Sequence, residues 1–517
     1  MLSSNPIIQE TLALLLAHGV RDMVLCPGSR NAGIVHSVCQ IGEFRTHTAT
    51  DERSAGFMAI GMADATGRAV AVVVTSGSAL ANLHPAACEA CYRQVPVVFI
   101  SADRPAAWIG QMDGQTMPQA GALGQMVRMS VSLPEDNLWH ANRLLNEALL
   151  CCTAGQPRGP VHINLPVSEP IYEFSADSLP KPRVIGLMDG LPSGEDFAHG
   201  HTVILWGQML PSEVPVAGLV SQVSGHFTII AENLGNLPPQ FYVHPARIDW
   251  DSMEPVDTVI TLGGHIISKE LKQFFRTHRP CRHWHVTPNG AVADLFCCQT
   301  LAIRSSAERF LDELAKAACP QCHPHALPQK GDMPTDCRTE LLEDFFRLLP
   351  EGAAVHLANS STVRLAQIAM ERWVRGTQCS NVPSILCNRG INGIEGSLST
   401  ATGHALAEPG TQVYMVTGDL AFFYDRNGLW TSPLPQNLHI LLLNDGGGSI
   451  FHTLPLPGSP VESRQAIMGT HGLEARYTAM QHGIFYLRGK EALEDFINTK
   501  VTSLLEITIH NETMENR

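Results

Sequence analysis

Three short, continuously apolar segments near the N-terminus limit most strongly what this chain can fold into. They span residues 23–25, 69–74 and 95–100, are bounded by turn residues, and are separated by segments with helical periodicity. A strand that is apolar at every position has both faces buried, which is typical of parallel sheets covered by helices on both sides. The same alternation ends with residues 161–165. The pattern therefore predicts a doubly wound parallel sheet, preceded by a helix over residues 6–19.

Turn-rich segments divide the rest of the chain. Residues 175–200 are rich in Pro, Ser, Asp and Gly, and residues 319–335 are rich in Pro and His, so we expect linkers there. Between and after these linkers, strand-like runs recur at residues 203–206, 228–231, 259–262, 283–286, 355–357, 414–417, 440–443 and 505–509. A chain of 517 residues exceeds what one hydrophobic core usually organises. We predict an α/β protein with three doubly wound parallel-sheet domains, residues 1–178, 179–330 and 331–517.

Composition excludes several classes of function. The formal charge is −14, and no block of Lys and Arg stands out, so nucleic acid is not an expected partner. No segment approaches the roughly 18 apolar residues that span a bilayer. Fourteen cysteines are scattered through the chain, and no basic leader precedes the apolar run at 12–16, so we expect a reducing cytoplasm. The segment with Cys319, Cys322, His323 and His325 lacks a second ligand pair and is better interpreted as a linker than as a metal knuckle.

Two acidic residues follow strand-like runs in the third predicted domain. Asp419 ends the segment Val416-Thr-Gly-Asp419, and Asp445 follows the run 440–443 in Asn444-Asp445-Gly-Gly447. The carboxyl ends of parallel strands meet at one edge of a sheet, where ligands bind. Two carboxylates and the carbonyl of Gly447 suit a hard cation such as Mg²⁺ or Mn²⁺ on a phosphate, and the glycines let backbone amides approach it. Either segment alone is an ordinary turn, so the pairing carries the prediction.

This pairing resembles the signature of the thiamine-diphosphate-dependent enzymes, Gly-Asp-Gly followed by Asn-Asn. Leu420 stands at the third position of this motif in place of glycine, and Asp445 replaces the usual amide ligand. The resemblance implies an activating glutamate in the first domain, and Glu52 matches it, at the start of a helix after the run 44–47. Its carboxylate would hydrogen-bond N1′ of the aminopyrimidine and favour the imino form that takes the proton from the thiazolium carbon. Outside this context, such a glutamate only compensates a helix dipole.

The resemblance implies a larger cofactor-binding set. Asn82 would lie beside the aminopyrimidine, and Ile394 would support the bent cofactor; the alternatives are an ordinary strand-to-helix turn and a core residue. The complete set is Pro27, Gly28, Glu52, Ser78, Asn82, Ser360, Ile394, Gly418, Asp419, Leu420, Asp445, Gly447 and Ile450, of which Asp419, Asp445 and Gly447 would bind the metal.

Segments along nearly the whole chain are similar to one family of these enzymes, the 2-succinyl-5-enolpyruvyl-6-hydroxy-3-cyclohexene-1-carboxylate synthases (MenD) of menaquinone biosynthesis. They are Cys26-Pro-Gly-Ser29-Arg30, Ser101-Ala-Asp-Arg104-Pro105, Asp113-Gly-Gln115, Ser268-Lys269, Asn359-Ser360 with Arg364, Asn388-Arg389-Gly390 with Ile394, and Gly418-Asp419-Leu420. The resemblance implies pyrimidine, central and diphosphate domains, and a transferase that decarboxylates 2-oxoglutarate and adds the resulting unit to isochorismate. It also implies a homodimer or homotetramer with the active site between subunits.

Both implied substrates are polyanions, which require fixed guanidinium and ammonium groups. The resemblance assigns Ser29, Arg30, Arg104, Gln115 and Lys269 to isochorismate, and Ser360, Arg364 and Arg389 to the group derived from 2-oxoglutarate. Taken singly, each cation also fits a surface ion pair. Glu270 is a departure, because some relatives have a second basic residue there. Phe451 and Leu454 would form an apolar wall, or simply core.

Two alternatives stay open at this stage. A different carboligase or decarboxylase with the same cofactor, such as an acetohydroxyacid-synthase-like enzyme acting on pyruvate, would have a smaller acceptor pocket with fewer cations. A catalytically silent relative that binds a diphosphate ligand would need the metal site but would have no use for Glu52.

Overall fold

A computed structural model of the chain describes residues 1–193, 200–318, 321–331, 333, 335–377, 382–448, 450–451 and 461–509. Two compact units are present. The first comprises residues 1–188 and 291–302, and the second comprises residues 189–290 and 303–517.

The first unit contains a six-stranded parallel sheet. Its strands are β2 (Asp22–Leu25), β3 (Arg45–Thr48), β4 (Val70–Val74), β5 (Val97–Asp103), β6 (Met129–Ser132) and β7 (Val161–Pro166), in the order β3-β2-β4-β5-β7-β6. A short antiparallel pair joins β1 (Leu2–Ser3) to β8 (Phe174–Ala176). The helices are α1 (Pro6–Ala17), α2 (Ala32–Gln40), α3 (Glu52–Thr66), α4 (Ser78–Asn82), α5 (His84–Arg93) and α6 (Leu138–Thr153).

Strand β4 explains why these strands have continuous apolar runs. Every residue of β4 is buried. Ala71 and Val73 belong to the hydrophobic core on one face of the sheet, and Val70, Val72 and Val74 belong to the core on the other face. Because successive side chains alternate between faces, helices on both sides of the sheet require an apolar residue at every position.

A second six-stranded sheet comprises β9 (Gly186–Asp189), β10 (Thr202–Trp206), β11 (Thr228–Ala231), β12 (Thr258–Leu262), β13 (Arg282–Thr287) and β14 (Leu301–Arg304), in the order β11-β10-β12-β13-β14-β9. The pairs among β10, β11, β12 and β13 are parallel. Its helices are α7 (Ala217–Ser224), α8 (Lys269–Thr277) and α9 (Ala307–Ala317). The predicted linker 175–200 is wrong in part, since it contains β9 and the end of β8.

The third sheet comprises β15 (Ala354–Leu357), β16 (Ser384–Cys387), β17 (Val413–Gly418), β18 (Leu438–Asn444), β19 (Phe485–Arg488) and β20 (Ser503–Thr508). Its order is β16-β15-β17-β18-β20-β19, and its pairs are parallel. The helices are α10 (Cys337–Leu348), α11 (Ser361–Thr377), α12 (Ser397–Ala407), α13 (Asp419–Asp425), α14 (Val461–Met468), α15 (Arg476–His482) and α16 (Leu493–Asn498). Strand β18 alternates like β4, with Leu441 and Leu443 in one core and Ile440 and Leu442 in the other.

These three sheets confirm the predicted α/β fold class. Within these three six-stranded sheets the sequence missed five strands, and four of them, β6, β9, β16 and β19, lie at the edges of their sheets. An edge strand is only partly covered, so its sequence lacks the continuous apolar run of a central strand. The domain boundaries at 178 and 330 stay a prediction.

Two further expectations concern the described part of the chain. Within it, no helix is both long and apolar enough to cross a membrane. The same residues contain no group of three or more His, Cys, Asp or Glu that could hold a metal ion. Cys319 lies outside the described residues, whereas Cys322 is buried and His323 and His325 are exposed.

Candidate active site

The carboxyl edge of the third sheet brings the two predicted acids together. Strands β17 and β18 are parallel neighbours in which Gly418 pairs with Leu443. Asp419 follows β17 directly as the first residue of α13, and Asp445 follows β18. A cavity of about 130 Å³ lies at this edge. Its lining includes Ser360, Ile394, Gly418, Asp419, Leu420, Asp445 and Gly447 of the predicted cofactor-binding set, together with Asn359 and Phe451.

Asp419 is the most constrained group of this edge, with only 2% of its surface exposed. One carboxylate oxygen accepts a hydrogen bond from the amide of Leu420 at 2.6 Å, and the other accepts one from the amide of Gly447 at 2.9 Å. Burial, and secondly the nearby charge of Asp445, raise the pKa of Asp419 to about 6. Among the described residues, no lysine or arginine forms an ion pair with Asp419, and a buried carboxylate beside a second acid suits an oxygen-ligand metal site.

The loop after β18 requires glycine. Gly446 has φ of 76° and Gly447 has φ of 156°, values that residues with a side chain rarely adopt. A Cβ on Gly447 would lie 3.1 Å from the carbonyl of Met468. This close approach orients the Gly447 amide toward Asp419.

His471 contacts the same carboxylate from the other side. Its Nε2 lies 3.4 Å from Oδ2 of Asp419, and its Nδ1 accepts a hydrogen bond from the amide of Leu473. Since Nδ1 is an acceptor, the neutral ring carries its proton on Nε2, which faces Asp419. No motif in the sequence pointed to this residue.

Two predicted arginines lie in the same unit. Arg389 is 7% exposed and donates from Nη1 to Oδ1 of Asn359 at 2.8 Å. Asn359 is held in turn by the carbonyls of Asn388 and Gly393. Arg364 donates to the carbonyl of Ser360, whose φ of 73° is rare for a residue other than glycine. Burial, and secondly the charge of Arg389, lower the pKa of Arg364.

Lys269 does not line the cavity at the acid pair. It is exposed and lines a different cavity, of about 590 Å³, with Trp250, Glu270 and Lys330. Glu270 forms an ion pair with Lys330 at 3.0 Å.

In the first unit, Glu52 is the first residue of α3 and is partly buried. Asp51 caps this helix by accepting from the amide of Ser54. Asn82, the last residue of α4, donates from Nδ2 to Oε2 of Glu52 at 3.1 Å. Burial, and secondly the charge of Glu52, raise the pKa of Cys26 to about 12. The two residues that the resemblance assigns to the aminopyrimidine are therefore hydrogen-bonded partners.

The other predicted residues of the first unit cluster around Ser76. Arg104 donates to Oγ of Ser76 at 2.8 Å, and its Nε lies 2.8 Å from a carboxylate oxygen of Asp113. Gln115 donates from Nε2 to the carbonyl of Ser76 at 3.0 Å. Ser76 is fully buried, and neither it nor Asp113 was among the predicted site residues.

Arg30 lies on the loop that follows β2. It donates to the carbonyl of Val167 and to Glu169, at 3.0 and 3.1 Å. On the same loop, a Cβ on Gly28 would lie 2.3 Å from Cβ of Thr75, so only glycine fits there. Pro27, Gly28 and Ser29 are exposed, as is Ser78 at the start of α4.

The remaining predicted residues are apolar and belong to the second unit. Ile394 is partly buried against the core of the third sheet. Ile450 is partly buried and Phe451 is 38% exposed. Leu454 lies outside the described residues. The roles of all these residues stay predictions.

Comparisons with known proteins identify the family. Residues 8–125 match the thiamine pyrophosphate enzyme, N-terminal TPP binding domain. The 2-succinyl-5-enolpyruvyl-6-hydroxy-3-cyclohexene-1-carboxylate synthase of Phocaeicola vulgatus is 44% identical over 96% of this chain and 92% of its own. The chain belongs to this synthase family. Synthases of the same name from Bacteroides thetaiotaomicron (41% identical, 96% of this chain, 94% of that one) and Porphyromonas gingivalis (34%, 92% and 88%) also match.

A solved structure is also similar over the full length. Benzoylformate decarboxylase from Polynucleobacter necessarius is 16% identical, with 98% of this chain and 99% of that chain covered, at a TM-score of 0.43. Family membership, with the thiamine pyrophosphate enzyme domain, establishes that this synthase is a thiamine-diphosphate-dependent enzyme.

The raised pKa of Asp419 predicts a pH dependence for the metal-free synthase. Between about pH 4 and 6, the folded protein keeps a proton on Asp419 that the unfolded chain has released. The contribution of this group to the free energy of unfolding therefore decreases as pH rises through that window, by at most about 3 kcal/mol. Because Asp445 is one cause of the shift, Asp445→Asn should reduce the decrease. Urea unfolding of the wild type and of Asp445→Asn, in the presence of a chelator at pH 4.5 and 7, measures this decrease in the free energy of unfolding. An equal decrease in the two proteins would contradict the effect of Asp445 on the pKa of Asp419.

Proposed function

We propose that this chain decarboxylates 2-oxoglutarate and adds the resulting succinic-semialdehyde unit to isochorismate, forming 2-succinyl-5-enolpyruvyl-6-hydroxy-3-cyclohexene-1-carboxylate in menaquinone biosynthesis. The observation that carries the proposal is the match of nearly the whole chain to curated synthases of that name at 41–44% identity. A pyruvate-specific carboligase or a silent relative has no comparable support.

The acid pair fits the diphosphate end of the cofactor. Asp419, Asp445 and the carbonyl of Gly447 would hold Mg²⁺ or Mn²⁺, because buried Asp419 has a raised pKa and, within the described residues, no lysine or arginine at ion-pair distance. Thiamine diphosphate, when bound, supplies a nucleophilic carbon that adds to a keto carbon and stabilises the charge left by carbon dioxide. Ser360 and Leu420 line the same cavity and would position the phosphates.

Glu52 would hold a proton at N1′ of the aminopyrimidine. Its position at the start of α3 gives it a fixed backbone, and the hydrogen bond from Asn82 orients Oε2. The carboxylate retains a second oxygen for the ring nitrogen. Asn82 thus has an orienting function in addition to the contact implied by the resemblance.

Cations from both units would bind the polyanionic substrates. Arg30 and Arg104 are held by carbonyl, hydroxyl and carboxylate groups, so their guanidinium planes are pre-oriented. Arg364 and Arg389 would bind the succinyl carboxylate, with Ser360 beside them. Lys269 and Gln115 complete the set proposed for isochorismate. The cytoplasmic location stays a prediction.

A coupled assay tests the proposed function. Purified protein is mixed with thiamine diphosphate, Mg²⁺ and isochorismate. The absorbance of isochorismate should decrease, and carbon dioxide should be released, only when 2-oxoglutarate is also present. Omission of each component is the control. Carbon dioxide release from pyruvate in place of 2-oxoglutarate would overturn the substrate assignment.

Glu52→Gln should bind thiamine diphosphate with nearly unchanged affinity and lose at least about 100-fold in kcat, since general acid-base groups contribute about that much. Calorimetric titration with the cofactor separates binding from turnover. Glu43→Gln, the same chemical change at an exposed position, is the matched control. Unchanged turnover of Glu52→Gln would refute the assigned role.

The proposed site between subunits predicts complementation. Glu52→Gln and Asp419→Ala should each be inactive, but hybrids made by mixing them contain one site with both residues intact. About a quarter of wild-type activity should return, because about half of randomly mixed dimers are hybrids with one good site of two. The two variants are partially dissociated, mixed and allowed to reassociate, and the recovered activity is measured. Size-exclusion analysis follows the reassociation. No recovery from verified hybrids would place both residues of each site on one chain.

A further inference from the structure

Buried Arg389 and partly buried Arg364 and Lys272 of the second unit interact electrostatically with one another. Within the described residues, no carboxylate lies within ion-pair distance of Arg364, Arg389 or Lys272. Only 7% of the surface of Arg389 is exposed. Its Nε is buried and has no hydrogen-bond partner among the described residues. An unpaired guanidinium nitrogen at that depth indicates a position for an anionic ligand.

The carboxylate of Glu232 interacts electrostatically with these cations, but it already accepts hydrogen bonds from the backbone. This residue follows β11 and is 4% exposed. Its two oxygens accept hydrogen bonds from the amides of Ile267 and Ser268, at 2.7 and 2.6 Å. It interacts electrostatically with Lys272 and Arg364. Arg364, Arg389 and Lys272 therefore share one carboxylate, which two backbone amides already bind.

Helix α8 directs its two N-terminal lysines to different surroundings. Glu270, Gln273, Phe274 and Thr277 line the cavity of about 590 Å³ that also contains Lys269. At about 100° per residue, position 272 points away from the middle of that row. Lys272 is partly buried, does not line this cavity, and interacts electrostatically with Glu232, Arg389 and Arg364. Burial lowers its pKa, Glu232 acts in the opposite direction, and Arg389 lowers the pKa further.

We propose that Lys272 completes, with Arg364 and Arg389, the binding site for the carboxylate of the 2-oxo acid that lies far from the keto group, and so determines the preference for a dicarboxylate. The inference rests on the proposed function. A ligand with a second carboxylate would supply the anionic partner that Glu232, already bound by two backbone amides, does not offer. Arg389 offers an unused N–H in a fixed plane, and Lys272 offers a compact charge on a flexible stem.

The competing explanation is that Lys272 only balances Glu232. In that case its removal would lower the stability of the protein and leave the discrimination between dicarboxylates and monocarboxylates unchanged. A measurement of discrimination therefore separates the two explanations.

Calorimetric titration of the cofactor-loaded full-length protein with glutarate and with butyrate provides the test. Lys272→Met should weaken glutarate binding by about 10- to 100-fold, the usual effect of removing one partner of a buried charged contact, and change butyrate binding by less than about 2-fold. Lys272→Arg should restore most of the glutarate affinity. Lys330→Met removes a lysine that pairs with Glu270 and is the matched control.

Kinetics give the second arm. Lys272→Met should raise KM for 2-oxoglutarate and leave KM for 2-oxopentanoate unchanged. Equal loss for both acids, or unchanged glutarate affinity, would overturn the inference. Lys272→Gln removes the charge but keeps a polar end group, and it replaces Lys272→Met in both measurements if the Met variant does not fold. If wild type does not consume isochorismate with 2-oxoglutarate, the proposed function fails, whereas Lys272-dependent glutarate binding would still support the dicarboxylate site.

Discussion

The burial of Asp419 beside Asp445, without a neighbouring lysine or arginine in the described residues that pairs with either, is the constraint on which the third sheet's edge depends. Two carboxylates in a region of low dielectric repel each other and lose hydration, so the fold must hold them in place. It does so with backbone amides. Leu420 and Gly447 each donate to Asp419, and glycine is favoured at 447 because its φ is 156° and a Cβ there would lie 3.1 Å from the carbonyl of Met468. This unfavourable charge is the reason that we propose a divalent cation there.

The same principle with the opposite sign organises the cations of the second unit. Arg389 is fixed by Asn359, which is itself held by two carbonyls, and Arg364 is fixed by the carbonyl of Ser360. Neutral partners orient a guanidinium without cancelling its charge. In the proposed function, an anionic substrate would meet cations that are already positioned, which would reduce the entropy lost on binding.

The first unit uses a buried polar network for a similar purpose. Asn164 donates to Asp103 and accepts from Gln119, and Gln119 also accepts from the amide of Gly77. Asp103 in turn accepts from the amide of Arg104. Burial raises the pKa of Asp103, against the effect of these hydrogen bonds. The network connects the glycine turn before α4 to the arginine after β5, so the segments that carry Asn82 and Arg104 share one rigid support.

The sequence by itself determined the central strands, because a strand buried on both faces must be apolar at each position, as in β4 and β18. It also indicated the candidate site residues Glu52, Asp419, Asp445 and the arginines. Chemistry restricts the residue types that can bind a diphosphate or a carboxylate, so these positions could be selected before the fold was known. Edge strands such as β19 were missed because a partly covered strand lacks the continuous apolar run of a central strand. Only the tertiary structure decided that Glu232, His471 and Lys272 contact or face the predicted groups, and that Lys269 lies in a different cavity. Such contacts depend on helix orientation and loop path, which are set by packing between segments far apart in the chain.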